Sequence, residues 1–235
     1  MYNLLQKLLA EFAGTFTFVF ISAGAVCADA YLASTGQAGL GLLGVSVAAG
    51  LSFGVMVGAL AHISGAHLNP AISVGAWVTR RLSTLHAIAY CVAQSAGSVA
   101  AAYAVKLVLP DSTWTPKALA SITPDLGGDF TRAHAIALEA VLTFFLALVV
   151  FATAIDKNGA GGKLAGFAAG AAVTMGTLFA GPFTGAAMNP ARSFGPALAT
   201  THWQNHGVYW AGPLLGGVVA AFLYDRVFLR NQPPA

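Results

Sequence analysis

One triplet, Asn-Pro-Ala, occurs twice in this chain, at Asn69-Pro70-Ala71 and Asn189-Pro190-Ala191, and the residues around the two copies match at a constant offset of 120. Ala49 pairs with Ala169, Gly50 with Gly170, Gly65 with Gly185, Ala66 with Ala186, Ser73 with Ser193 and Gly75 with Gly195. Further upstream, Glu11-x-x-x-Thr15-Phe16 matches Glu139-x-x-x-Thr143-Phe144 at an offset of 128, the difference being absorbed by an outer loop. The chain is therefore read as two related halves, about 1–110 and 133–230, in a single domain. A polar linker, about 110–132 and carrying Pro116, Pro124, Gly127 and Gly128, joins them.

The solvent for these halves follows from composition. Hydrophobic residues make up 57% of the 235 residues and charged residues 8%, against roughly 45–50% and about 25% in soluble chains. So few charges cannot cover a water-facing surface, and the chain is read as an integral membrane protein. Six stretches approach the roughly 20 apolar residues that a span requires: Leu8–Ala30, Leu40–Ala61, Thr84–Leu109, Ala133–Ile155, Lys163–Ala180 and Gly207–Phe228. The first is read as a retained span, since no signal-peptide pattern precedes it. Two pieces, around Asn69–Val78 and Asn189–Leu198, are too short to cross and are predicted to be re-entrant. Non-helical backbone at membrane depth is tolerated only beside protein or a wet cavity, so a cavity is implied. Three spans per half is an odd number, which inverts the second half relative to the first. That arrangement places binding and conduction at the repeat interface near the midplane.

The triplet itself specifies a helix start. Asn caps free backbone N–H groups of the first turn, Pro suits the first helical position and Ala is the strongest helix former. Inversion makes the two half-helices meet N-terminus to N-terminus. The capping oxygens are consumed, two amide N–H₂ groups point into shared space, and the positive helix ends converge there. Such a site favours a neutral dipole and repels cations. Arg192, three residues into the second half-helix, costs roughly 2.5–3.5 kcal/mol at mid-membrane on insertion scales and should face a polar cavity.

These residues resemble the major intrinsic protein family, the aquaporins. The resemblance rests on His62-Ile63-Ser64-Gly65-Ala66-His67-Leu68-Asn69-Pro70-Ala71, on Met188-Asn189-Pro190-Ala191-Arg192-Ser193-Phe194-Gly195-Pro196, and on the Glu11 and Glu139 pair. It implies an all-α membrane protein with six transmembrane helices and two re-entrant half-helices, a pore in each monomer, and a homotetramer. It also implies a selectivity filter at Ala49, Thr177, Ala186 and Arg192, and a pore-lining loop including Gly65, Ala66, His67, Gly185 and Ala187. Water-selective relatives usually carry an aromatic where this chain has Ala49 and a histidine where it has Thr177. Both are small here, so the opening is expected to be wide, closest in kind to plant nodulin-26-like proteins. Ser193, Ala197 and Tyr209-Trp210 instead follow the water-channel pattern. Filter size weighs more, and the resemblance thus implies water permeation with leakage of urea, glycerol or metalloid hydroxides.

Glu11 and Glu139 read as structural, each accepting hydrogen bonds from backbone N–H groups of a re-entrant loop. His62 and His67 read as loop braces. Glycines 50, 54 and 58 favour close helix contact, and Trp77, Trp114, Trp203 and Trp210 are compatible with interfacial anchoring. No residues have metal-ligand spacing, no cofactor is expected, and no basic cluster points to nucleic acid. Basic residues set the orientation: Lys7, Arg80, Arg81, Lys157, Lys163, Arg226 and Arg230 share one side, against Lys106, Lys117 and Arg132. The termini are expected to be cytoplasmic, with short ends pointing to a bacterial-type chain in a bacterial inner membrane. The rival class is a secondary transporter, which also uses inverted repeats, but only Glu11 and Glu139 are available for coupling. An enzyme is disfavoured, since no Ser or Cys nucleophile pairs convincingly with a His.

Overall fold

The computed structural model describes residues 2–110, 113, 129–156 and 162–229. Most of the linker, with Trp114 and Lys117, lies outside them, as do Lys157 and Arg230. All regular elements among the described residues are helical. In the first half, α1 is Leu4–Ser34, α2 Gly41–Ser64, α3 Pro70–Val78 and α4 Thr84–Val108. In the second half, α5 is Arg132–Val150 with a wide π turn at Phe151–Ile155, α6 Gly162–Thr184, α7 Pro190–Thr200 and α8 Val208–Val227. Six of them are long and apolar enough to cross a membrane.

Several helices outrun the apolar stretches that announced them, whereas α4 and α8 stay within theirs. α1 begins four residues before Leu8 because Asn3 and Gln6 form a reciprocal capping box, satisfying two orphan donors outside the hydrocarbon. α5 starts in the same way at Thr131 and His134. α6 runs past Ala180 through Pro182 to Thr184. Hydropathy marks the crossing, whereas caps and turns mark where the helix stops.

The two halves are exchanged rather than side by side. The half-helix α3 packs on α8 of the other half, and α7 packs on α4. At the interface α2 crosses α6 with backbone against backbone. A Cβ on Gly50 would run into the Gly170 carbonyl and one on Gly170 into the Gly50 carbonyl, and Gly54 and Gly166 stand in the same reciprocal relation. The close helix contact expected of Gly50 and Gly54 is made across the halves, so the small residues of α2 and α6 hold the two halves together.

A contiguous apolar core runs through this junction, with Phe18, Phe53, Leu68 and Ile72 from one half and Leu146, Val173, Ala186 and Met188 from the other. At the end carrying the termini, Arg81 grips Asp225 through Nε and Nη2, at 2.8 and 2.7 Å, tying the segment after α3 to α8.

Candidate functional site

Both half-helices begin as the triplet dictates. Asn69 is extended and its side-chain oxygen accepts from Ala71 N at 2.9 Å. Asn189 accepts from Ala191 N and Arg192 N at 3.0 and 3.3 Å. Pro70 and Pro190 follow at the first helical position.

The amides do more than the triplet announces. Asn69 Nδ2 donates to the Met188 carbonyl and Asn189 Nδ2 to the Leu68 carbonyl, each at 2.8 Å. The two asparagines therefore stand beside each other at the junction of the halves, each latched to the other's loop. An amide carries two N–H donors, so one hydrogen of each remains beyond the latch. Both amides were expected to be wholly free, yet half of that capacity fixes the geometry.

The carbonyls are presented by unusual backbone. Gly65, Ala66 and Leu68 have φ of 90°, 45° and 50°, and Gly185, Ala186 and Met188 have 75°, 49° and 51°. Left-handed alanine, leucine and methionine are held only when their surroundings over-determine them. Here the surroundings are carboxylates. Glu11 accepts from His67 N at 2.9 Å, Leu68 N at 2.7 Å and Ser64 Oγ at 2.7 Å. Glu139 accepts from Ala187 N, Met188 N and Thr184 Oγ1 at 2.9, 2.7 and 2.7 Å. Both carboxylates are fully buried. With these N–H groups turned toward a glutamate, Leu68 and Met188 offer their carbonyls to the opposing asparagines.

Three supports escaped the sequence reading. Tyr90 donates to the Ser64 carbonyl at 2.8 Å, and Tyr209 to the Thr184 carbonyl at 2.9 Å. Gln94 Nε2 donates to Glu11 at 2.7 Å and to Ser73 Oγ at 3.0 Å, while His67 Nδ1 lies 3.1 Å from the same hydroxyl. Carrying the repeat comparison into the third spans would have revealed the tyrosines, since Tyr90 and Gly97 recur as Tyr209 and Gly216.

Ala49, Thr177, Ala186 and Arg192 are each between 0 and 3% exposed. Arg192 Nη1 donates to the carbonyls of Gly185 and Ala186. Among the described residues, Arg192 Nε and Thr177 Oγ1 are buried with no protein partner. His62 lies edge-on to Tyr2, their ring centroids 5.8 Å apart.

A membrane bundle with two opposed half-helices, mutually latched asparagines and a buried arginine has the form of a channel for neutral molecules. A family model described as major intrinsic protein matches residues 1–224, and the chain belongs to that family. Relatives include Aquaporin TIP1-2 from Zea mays, 42% identical over 96% of this chain and 87% of its own, and Aquaporin TIP2-1 from Arabidopsis thaliana, 39% identical over 97% and 89%. The X-ray structure of the aquaglyceroporin from Plasmodium falciparum shares the fold, with a TM-score of 0.84 at 23% identity over 97% of this chain and 98% of that one. The protein is a multi-pass membrane channel that passively conducts water and small solutes. These relatives are plant TIP aquaporins, so the expectation of a bacterial-type chain in a bacterial inner membrane is not supported.

Proposed function

We propose that water and small uncharged solutes cross in single file past a filter formed by Ala49, Thr177, Ala186 and Arg192 and then between Asn69 and Asn189. The observation that carries this reading is the pair of buried groups without protein partners, Arg192 Nε and Thr177 Oγ1. Leaving a buried donor unsatisfied costs about 1–3 kcal/mol, and a solute oxygen bonded to either group would remove that cost. The spare hydrogens of the two asparagine amides offer the next bonds along the path. The positive ends of α3 and α7, together with the Arg192 charge, oppose cations and hydrated protons.

Glu11 and Glu139 act as scaffold in this reading. Each already serves at least three donors, which leaves neither as a free carboxylate for ion-coupled transport. The chain works as one channel domain of two repeats joined by the linker, with its termini on the cytoplasmic side, and assembles as a homotetramer as is typical of its family.

The test uses proteoliposomes in parallel gradients of impermeant osmolyte, urea, glycerol and arsenite. Water flux well above that of empty liposomes is expected. Ala49→Phe combined with Thr177→His should reduce solute flux more than water flux, and equal loss of both would refute the filter assignment.

A further inference from the structure

His67 is half-buried, whereas Ala66, Leu68 and Asn69 beside it are buried. Tyr90 stands edge-on to its ring with the centroids 5.4 Å apart, and a Cβ on Gly65 would come 3.4 Å from Nε2. No described residue bonds Nε2, so that nitrogen is left to whatever passes the loop just before Asn69. Whether it donates or accepts there is decided by the bond at the other ring nitrogen, and the hydrogen-bond network assigns that bond.

The assignment starts at Glu11. It accepts from four donors, Ser64 Oγ, His67 N, Leu68 N and Gln94 Nε2, which fill the roughly four acceptor sites of an ionised carboxylate. A group that only accepts fixes the Gln94 amide. Nε2 faces Glu11 at 2.7 Å, and turning the amide over would set Oε1 against a negative oxygen. The second hydrogen of Nε2 goes to Ser73 Oγ at 3.0 Å. Ser73 is fully buried, so its own hydrogen needs an acceptor, and among the described residues His67 Nδ1, at 3.1 Å, is the one in reach. Were Nδ1 to carry the proton, Ser73 Oγ would face two donors and its hydrogen would have no acceptor, which is the costlier arrangement.

The second repeat has none of these groups. Ala187 stands in place of His67 and Pro213 in place of Gln94. Ser193, the counterpart of Ser73, donates instead to the Pro190 carbonyl of its own helix at 2.9 Å. The serine turns away from its own helix only where the glutamine and the histidine occur together.

We propose that Gln94, acting through Ser73, holds neutral His67 with its proton on Nε2 and so sets a hydrogen-bond donor beside the pathway at the end built by the first repeat. The ring's lone pair is then on Nδ1, turned from the pathway and occupied by the Ser73 hydroxyl. A passing oxygen meets a donor, and the ring offers the file of water no base. Gln94 and Ser73 are positioning residues, and their role rests on the channel reading and deepens it. The ring expected only to brace the loop does so with one nitrogen and serves the solute with the other.

NMR of the full chain, carrying isotopically labelled histidine in liposomes, reads the protonation of each ring nitrogen, the His67 signals being those lost in His67→Ala. Wild type should show Nδ1 bare and Nε2 protonated. Ser73→Ala and Gln94→Met should each give mixed tautomers, and Ser73→Thr the wild-type pattern. Water permeability in the same vesicles should fall about twofold or more in Ser73→Ala, as half or more of the rings turn a lone pair to the pathway, and recover in Ser73→Thr. Should Gln94→Met fail to fold, the two Ser73 variants decide. Nδ1 protonated in wild type would overturn this inference alone. So would wild-type tautomers in Ser73→Ala, whatever its flux, and so would mixed tautomers with undiminished flux. Wild-type vesicles without water flux would overturn the channel reading beneath it.

Discussion

The re-entrant loops of the two repeats are built alike, and what lies against them is not. Each loop has a glutamate accepting two successive backbone N–H groups and one hydroxyl. Each also has a tyrosine bonded to the carbonyl at the end of the preceding helix and an asparagine latched to the other loop. In the first repeat, Gln94, Ser73 and His67 extend the glutamate's network. In the second, Pro213 follows Tyr209 at the spacing by which Gln94 follows Tyr90, and Ala187 replaces His67. Groups that hold backbone recur because both loops need the same left-handed conformation. Groups that hold only side chains are free to diverge, and there the two ends of the pathway acquire different character.

The severest challenge to this shared scaffold is loss of a glutamate. Glu11→Leu strands Ser64, two backbone N–H groups and Gln94, while Glu139→Leu strands Thr184 and two backbone N–H groups. At about 1–3 kcal/mol for each buried group left unpaired, either loss is comparable with the roughly 5–15 kcal/mol that holds a domain folded. Both variants should fail to give monodisperse protein, with Glu11→Leu the worse of the two. Wild-type thermal stability in either variant would show that its loop is not held by the carboxylate, and the equivalence of the repeats would break.

The repeats also differ in how closely their half-helices are seated. Gly195 on α7 and Gly75 on α3 occupy equivalent positions. A Cβ on Gly195 would overlap the Ser98 carbonyl and hydroxyl of α4, whereas one on Gly75 would lie 3.1 Å from the Gly217 carbonyl and from Ala221 Cβ of α8. Gly195→Ala is therefore expected to destabilise by about 1–3 kcal/mol or more through overpacking. In Gly75→Ala a milder clash is offset by the gain of up to about 1 kcal/mol in helix propensity, leaving a change near zero. Thermal unfolding in detergent reads both. Equal losses would mean that the half-helices sit at the same depth against their neighbours.

Much of this arrangement is legible in the sequence because it depends on local chemistry. Asn69-Pro70 and Asn189-Pro190 specify caps wherever they fall, and a carboxylate at Glu11 or Glu139 inside an apolar stretch needs donors, which the free backbone N–H groups of a re-entrant loop can supply. The crossed latches are less legible. The triplet shows that the amides are spare but not that the Leu68 and Met188 carbonyls turn to meet them, since that turn rests on backbone angles forced by glutamates 57 and 49 residues away.

The smallest expected difference concerns the rim beyond α7, where the second repeat carries an aromatic cluster of Phe194, Trp203, His206 and Trp210. Trp210 Nε1 donates to His206 Nε2 at 3.0 Å, so in the neutral ring Nδ1 carries the proton. Burial lowers the His206 pKa from its ordinary value. The charged group beside it is Arg132, which lines the same outer hollow and bonds Asn205 at 2.8 Å. Between the folded and unfolded pKa values the unfolded chain binds more protons, so stability rises with pH across that window. Acidification from about pH 7 through the ordinary histidine range near 6.5 therefore removes stability, and the loss ends once the folded-state ring is itself protonated. A proton on Nε2 also opposes the Trp210 N–H. The thermal midpoint is expected to fall by roughly 2 °C or less from this group, and His206→Phe should remove that increment while leaving the rest of the pH profile in place. An unchanged profile in His206→Phe would show that the ring titrates normally and that the rim of the second repeat is no more tightly packed than solvent-facing loops.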